Sequence, residues 1–222
     1  MPQKRREVVS LSYCPRTCVG TTYYAAAHRS ASVLAQFIVK GFTYGNTRLP
    51  QKFVQSLGNE LWQSYHTFGF VRHPFHRLQS TYAYTATQTK KHRRGSLTNW
   101  TGTNNDPFWK WGSVKAYLES DGFSAFIRHP LWLSSPLARP QTDYFYDGNT
   151  RLVKHVGRLE NLESDFATVA KSLQLPTWEL GFENMSDHES QHDTSQGLGS
   201  DLGSVYDSYR SDYDAFGYSK TP

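Results

Sequence analysis

Nowhere in these 222 residues do apolar side chains run on for the roughly 20 positions that a membrane-crossing helix needs. Cysteine is nearly missing. Cys14 and Cys18 are the whole complement, too few for a disulfide framework and without histidines at zinc-finger spacing. No G-K-[ST] triplet closes a glycine-rich loop, which excludes a Walker A nucleotide site. No internal repeat is present, which excludes a solenoid. The basic start, Met1 to Arg6, leads into strand-like residues rather than the apolar core of a signal peptide. These absences set the expectation of a soluble, cytoplasmic protein with no membrane partner and free thiols.

What is present is a wealth of aromatic residues. They make up 15% of the chain, with six Trp and fourteen Tyr, far too many for a disordered polymer. The length suits a single domain, residues 1–222, with a substantial core. The net charge of +5 is unevenly spread. From Glu183 onward there are eight acidic and two basic residues, so the preceding part carries a balance of +11. A basic body suits an anionic ligand. Charge alone would also admit nucleic acid.

Val8 to Tyr13 alternates and is rich in β-formers, which predicts a strand. A loop from Pro15 to Thr22 and a helix over Tyr23 to Lys40, containing Ala25 to Ala27, follow. Lys52 to Tyr65 reads as a helix, with Phe53, Leu57 and Leu61 on one side, and Phe68 to Val71 as a strand. Lys90 to Arg94 and Asn99 to Asp106 read as a basic, polar loop region. Phe108 to Phe126 reads as partly helical, with an inward stripe of Trp111, Val114, Leu118 and Phe126. Leu131 to Gln141, broken by prolines, reads as a loop, and Arg151 to Val156 as a strand. Glu160 to Leu173 is the clearest helix, with Leu162, Phe166, Val169 and Leu173 in register. Beyond Pro176 the chain is polar until a last helix, Asp201 to Phe216. Strands alternating with helices predict an α/β fold with a parallel sheet flanked by helices. Ligands of such sheets lie at the carboxyl ends of the strands.

The most informative segment is Phe68-Gly-Phe-Val-Arg72-His-Pro74-Phe-His-Arg77-Leu-Gln-Ser80-Thr-Tyr82. It reads as strand, turn and helix. Pro74 suits the first helical turn, where its missing N–H costs nothing. Phe75, Leu78 and Tyr82 fall at helical spacing and can face a core. Arg72 at the strand end, Ser80 two turns on and the helix N-terminus place anion-binding groups near one point.

F-V-R-x-P-F-x-R-L-x-S-x-Y resembles the 3′-phosphate-binding motif of sulfotransferases, in particular the carbohydrate branch. The resemblance implies a P-loop-NTPase-like single domain and 3′-phosphoadenosine 5′-phosphosulfate (PAPS) as donor. It implies no metal, no nucleic acid partner, and a carbohydrate or other hydroxyl-bearing acceptor. Arg72 and Ser80 would hold the 3′-phosphate. Cys14-Pro15-Arg16-Thr17-Cys18-Val19-Gly20-Thr21-Thr22 is similar to the family's 5′-phosphosulfate loop, which makes Arg16, Gly20, Thr21 and Thr22 candidates for that end of the donor. Cys18 stands where the family has a lysine that stabilises charge on the bridging oxygen. A thiol cannot supply that charge, and Arg16 is the candidate to replace it. His28-Arg29-Ser30-Ala31-Ser32 is a second candidate loop.

Pro140 to Tyr146 and His155 to Phe166 resemble further family stretches, P-Q-x-x-Y and G-R-F-E-N-L-x-x-D-F, and the ending Tyr209 to Tyr218, with Asp212, Asp214, Phe216, Gly217 and Tyr218, resembles its closing D-x-x-x-F-G-Y. Arg158 in these stretches reaches the donor or pairs with an acid such as Glu160 or Asp165. Sulfuryl transfer needs a base for the acceptor's proton. His66 is the first candidate, since an imidazole's reference pKa of about 6.5 suits neutral pH. Glu60, His73 and His76 are lesser ones. Two other readings remain open at this stage. One is a sulfotransferase fold that binds a nucleotide or polyanion without turnover, and the other is a kinase.

Overall fold

The structure is a computed structural model, and it describes residues 9–13, 25–27, 54–55, 58–64, 66–93, 110–175, 178–182 and 198–222. These residues form seven strands and nine α-helices. In chain order they are β1 (Val9–Tyr13), β2 (Ala25–Ala27), α1 (Asn59–Ser64), β3 (His66–Val71), α2 (Pro74–Arg93), α3 (Gly112–Glu119), α4 (Phe123–Arg128) and α5 (Pro130–Leu133). Then come α6 (Thr142–Phe145), β4 (Tyr146–Asp147), β5 (Thr150–Arg151), β6 (His155–Arg158), α7 (Leu162–Ser172), β7 (Trp178–Phe182), α8 (Leu198–Ser208) and α9 (Arg210–Phe216). The architecture is α/β. β1 pairs with β7 and β3 with β6, both in parallel.

The described residues fall into two compact units. The first holds all seven strands, with α1 and α7; the second holds α2 to α5, α8 and α9. In the first unit, β3 is the centre of a three-stranded sheet, ordered β2-β3-β6. Phe68 and Phe70 lie two residues apart, so they share one face of β3. That face packs on Phe166, Val169 and Ala170 of α7, all buried. The register sets Phe70 opposite Gly157 and Val71 opposite Arg158.

Gly157 lets the Phe70 ring lie across β6. A Cβ there would stand 2.5 Å from Phe70 Cε1 and 3.0 Å from Asp165 Cβ. Gly157→Ala is therefore expected to destabilise the fold by about 1–3 kcal/mol, the usual penalty for overpacking, measured by urea unfolding. An unchanged midpoint would show that the ring moves freely.

The second unit is built on α2. The helix starts at Pro74, and His73 caps it: Nδ1 accepts the Phe75 N–H at 3.2 Å. Phe75, Leu78 and Tyr82 are all buried, as their spacing predicts. They pack with Phe123, Phe126, Trp132, Tyr209 and Tyr213. Thr81 and Thr85 occupy the same buried side, where each hydroxyl donates to the carbonyl four residues back.

Several expectations need correction. Ala25–Ala27 is a strand, antiparallel to β3, rather than helix. Cross-strand pairing outweighs alanine's helical preference there. α2 continues through Lys90 to Arg93, which reads as loop from charge alone. The stripe over 108–126 is interrupted: the backbone turns extended at Ser120, which ends α3, Gly122 with its φ of 91° precedes α4, and Leu118 is exposed. Residues 131–141 contain the end of α5 and a short 3₁₀ turn at Pro136–Ala138, both accepting Pro in the first turn. The strand expected over Arg151 to Val156 is two strands, β5 and β6. The polar stretch after Pro176 contains β7, partner of β1.

Candidate functional site

Arg72 follows the last residue of β3, where the ladder ends. Its backbone is nonetheless held as though a further strand were present. Gln141 Oε1 accepts the Arg72 N–H at 2.9 Å, and Gln141 Nε2 donates to the Arg72 carbonyl at 2.8 Å. Gln141 has no exposed surface. Its own N–H donates to Asp212 Oδ2 at 2.8 Å, and the Thr142 N–H donates to Asp212 Oδ1 at 2.8 Å. Asp212, in the first turn of α9, is also fully buried. Burial pushes its carboxyl above the usual carboxylate range, opposed by the Arg77 charge and the amides of Gln141 and Thr142. Burial, and then the Asp212 charge, push the neighbouring Tyr213 hydroxyl up to about 12.

Arg77 is a buried cation. Its Nη2 donates to the Arg139 carbonyl at 2.7 Å, and its guanidinium lies 5.1 Å from the Tyr209 ring centre. It is committed to the interior. The Arg72 side chain differs: it is half-buried, and its guanidinium has no hydrogen-bond or ion-pair partner among the described residues. A cation on a fixed backbone with free donors suits an oxyanion. Ser80 is half-buried on α2, about 9 Å along the axis from Pro74.

Arg158 is held in a parallel way. Its N–H donates to Asp165 Oδ2 at 2.6 Å. Asp165 thus contacts Arg158 through the backbone, and the carboxylate also lies in the first turn of α7. Arg158 ends β6 opposite Val71. A shallow hollow lined by Glu160, Asn161, Leu162, Glu163, Ser164 and Ala167 carries two carboxylates, the wrong sign for a phosphosulfate.

The base candidates separate by position. His66 opens β3 at its amino end. Five residue steps, about 17 Å, part it from Val71 at the carboxyl end, where ligands of parallel sheets lie. That placement argues against His66 as the base. His73 has both ring nitrogens engaged: Nδ1 accepts from Phe75, so Nε2 carries the proton, 3.0 Å from the Ser219 carbonyl. It is a structural residue. Glu60 is exposed on α1, and His76 is half-buried on α2, its ring 5.2 Å from that of His73. Arg16, Gly20, Thr21 and Thr22, and the alternative loop His28 to Ser32, lie outside the described residues.

The sulfotransferase family model matches residues 39–219. This chain belongs to the sulfotransferase family. No curated protein and no solved structure gives a significant match. The matched stretch of this sulfotransferase contains Arg72, Ser80, Gln141, Arg158 and Asp212, and begins after the Cys14–Thr22 loop. As a sulfotransferase, the chain is an enzyme that moves a sulfuryl group to a hydroxyl-bearing acceptor. Gln141, Asp165 and Asp212 hold backbone groups of Arg72, Arg158, Gln141 and Thr142, contacts that their motif letters did not disclose. The one available signal was that each sits in a stretch resembling the family.

Proposed function

We propose that this sulfotransferase uses PAPS as donor and sulfates a carbohydrate hydroxyl, acting as one cytoplasmic domain over residues 1–222. The observation that supports the donor is Arg72: a backbone clamped on both sides by Gln141, with a guanidinium that no described residue occupies. Arg72 and Ser80 would take the 3′-phosphate. By family resemblance, Arg16, Gly20, Thr21 and Thr22 would take the 5′-phosphosulfate, with Arg158 as a further donor contact. The acceptor oxygen would attack sulfur in line. The bond from sulfur to the 5′-phosphate oxygen would break, releasing 3′,5′-adenosine bisphosphate, while a base takes the acceptor's proton. Cationic side chains would neutralise charge on the bridging oxygen, which requires no metal.

Calorimetry with 3′,5′-adenosine bisphosphate tests the donor site. Arg72→Ala is expected to weaken binding by about 1.5–3 kcal/mol, the usual worth of hydrogen bonds to a charged group. No binding by the wild type, or an unchanged affinity in the variant, would count against PAPS. Cys18 in place of the family lysine favours a second reading, a sulfotransferase fold that binds without turnover. Transfer of labelled sulfate across a glycan panel separates the two. Turnover removes the second reading and names the acceptor.

A further inference from the structure

We propose that Gln141, anchored by Asp212, is a positioning residue that sets the aim of Arg72 on the donor's 3′-phosphate. The inference rests on the donor site proposed above and goes beyond it, because Gln141 touches no ligand in this scheme. Past Val71, Arg72 has no strand neighbour among the described residues to fix its backbone, and an arginine side chain carries considerable rotamer freedom of its own. Gln141 replaces the missing neighbour. Its carboxamide offers one acceptor and one donor, spaced to meet the N–H and C=O of a single residue, and both are used, at 2.9 and 2.8 Å. That pair of bonds fixes the direction in which the Arg72 Cα–Cβ bond leaves the chain.

The carboxamide is itself held. Asp212 receives the backbone N–H of Gln141 and of Thr142, each at 2.8 Å, and lies 3.4 Å from Gln141 Nε2. The Nε2 contacts, the Arg72 carbonyl and the carboxylate, are both acceptors, so the amide has one orientation only. Gln141 and Asp212 are fully buried, so solvent does not compete for these bonds. Residues 72, 141 and 212 come from three stretches, each resembling a different family motif. The structure gathers them on one arginine backbone.

Binding is measured on the full chain with 3′,5′-adenosine bisphosphate and with adenosine 5′-phosphate, which lacks the 3′-phosphate. Gln141→Met keeps the size and removes both bonds to Arg72. It is expected to weaken the bisphosphate about tenfold and the monophosphate by less than about twofold. In an Arg72→Ala background it should add nothing for either ligand. Equal losses for both ligands, or an undiminished loss in the Arg72→Ala background, would show a merely structural role and overturn the proposal. If Gln141→Met does not fold, the same cycle is run with Asp212→Asn, which keeps the shape and turns one acceptor into a donor. A wild type that ignores the 3′-phosphate would remove the donor site and this inference together. A wild type that prefers it, with variants that keep the full preference, would remove the inference alone.

Discussion

Arg77→Met is expected to lower the free energy of unfolding by about 3 kcal/mol at neutral pH, in the range seen when a buried charge loses its compensation. Arg77 is 2% exposed and Asp212 is wholly buried. Methionine approximates the aliphatic stem, so the loss reports chiefly on the cation, including its hold on the Arg139 carbonyl and the Tyr209 ring. The pH dependence identifies the electrostatic part. Burial raises the folded-state pKa of Asp212 and the Arg77 charge pulls it back. A carboxyl with a raised folded pKa binds its proton more tightly folded than unfolded. Its contribution to stability is thus complete below the unfolded value of about 3.9 and is lost as pH rises through the folded one. Removing Arg77 raises the folded value further. The deficit of the variant should therefore be small near pH 4 and grow toward pH 7, in urea titrations at both. Of the groups around Asp212, the Gln141 and Thr142 amides do not titrate, and burial pushes the hydroxyls of Tyr209 and Tyr213 up, that of Tyr213 to about 12. A deficit of equal size at both pH values would assign it to lost packing.

Phe166→Ala carries the other large effect, about 3–5 kcal/mol from lost burial and the cavity left behind. Phe166 is 1% exposed. Its ring centre lies 6.2 Å from that of Phe68 and 6.5 Å from that of Phe70. It is the largest side chain that α7 gives to the face of β3 and β6. Because β6 ends at Arg158, a softened α7 would loosen a strand end that the donor site is proposed to use. The measurements are the urea midpoint and hydrogen exchange of the β3 and β6 amides. A loss under about 1 kcal/mol would mean that Val169 and Ala170 close the gap, and that this face is held by other contacts.

The β3 to α2 segment could be read from the chain because two periodicities meet there with a proline between them. α7 was equally readable, since Phe166 and Val169 fall three apart on one face. β2 and β7 could not be. Each is three or five residues long and owes its conformation to a partner elsewhere. The triple-alanine β2 would favour a helix on its own. The site divides along the same line. Arg72 and Ser80 stand out because a strand end and a helix start are local features. Gln141 and Asp212 act on Arg72 across 69 and on Gln141 across 71 positions of sequence. Nothing in one chain's pattern couples residues so far apart. The placement of His66 at the amino end of β3, by contrast, was legible, because it precedes the strand in the chain and ligands of parallel sheets lie at the other end.

The pairing of Phe70 with Gly157 has an outcome for variation within this fold. Two strands share one ring-sized volume, and only one of them can fill it. A side chain can be added on β6 only where the β3 residue shrinks to match, so these two positions should drift together while their combined bulk stays constant.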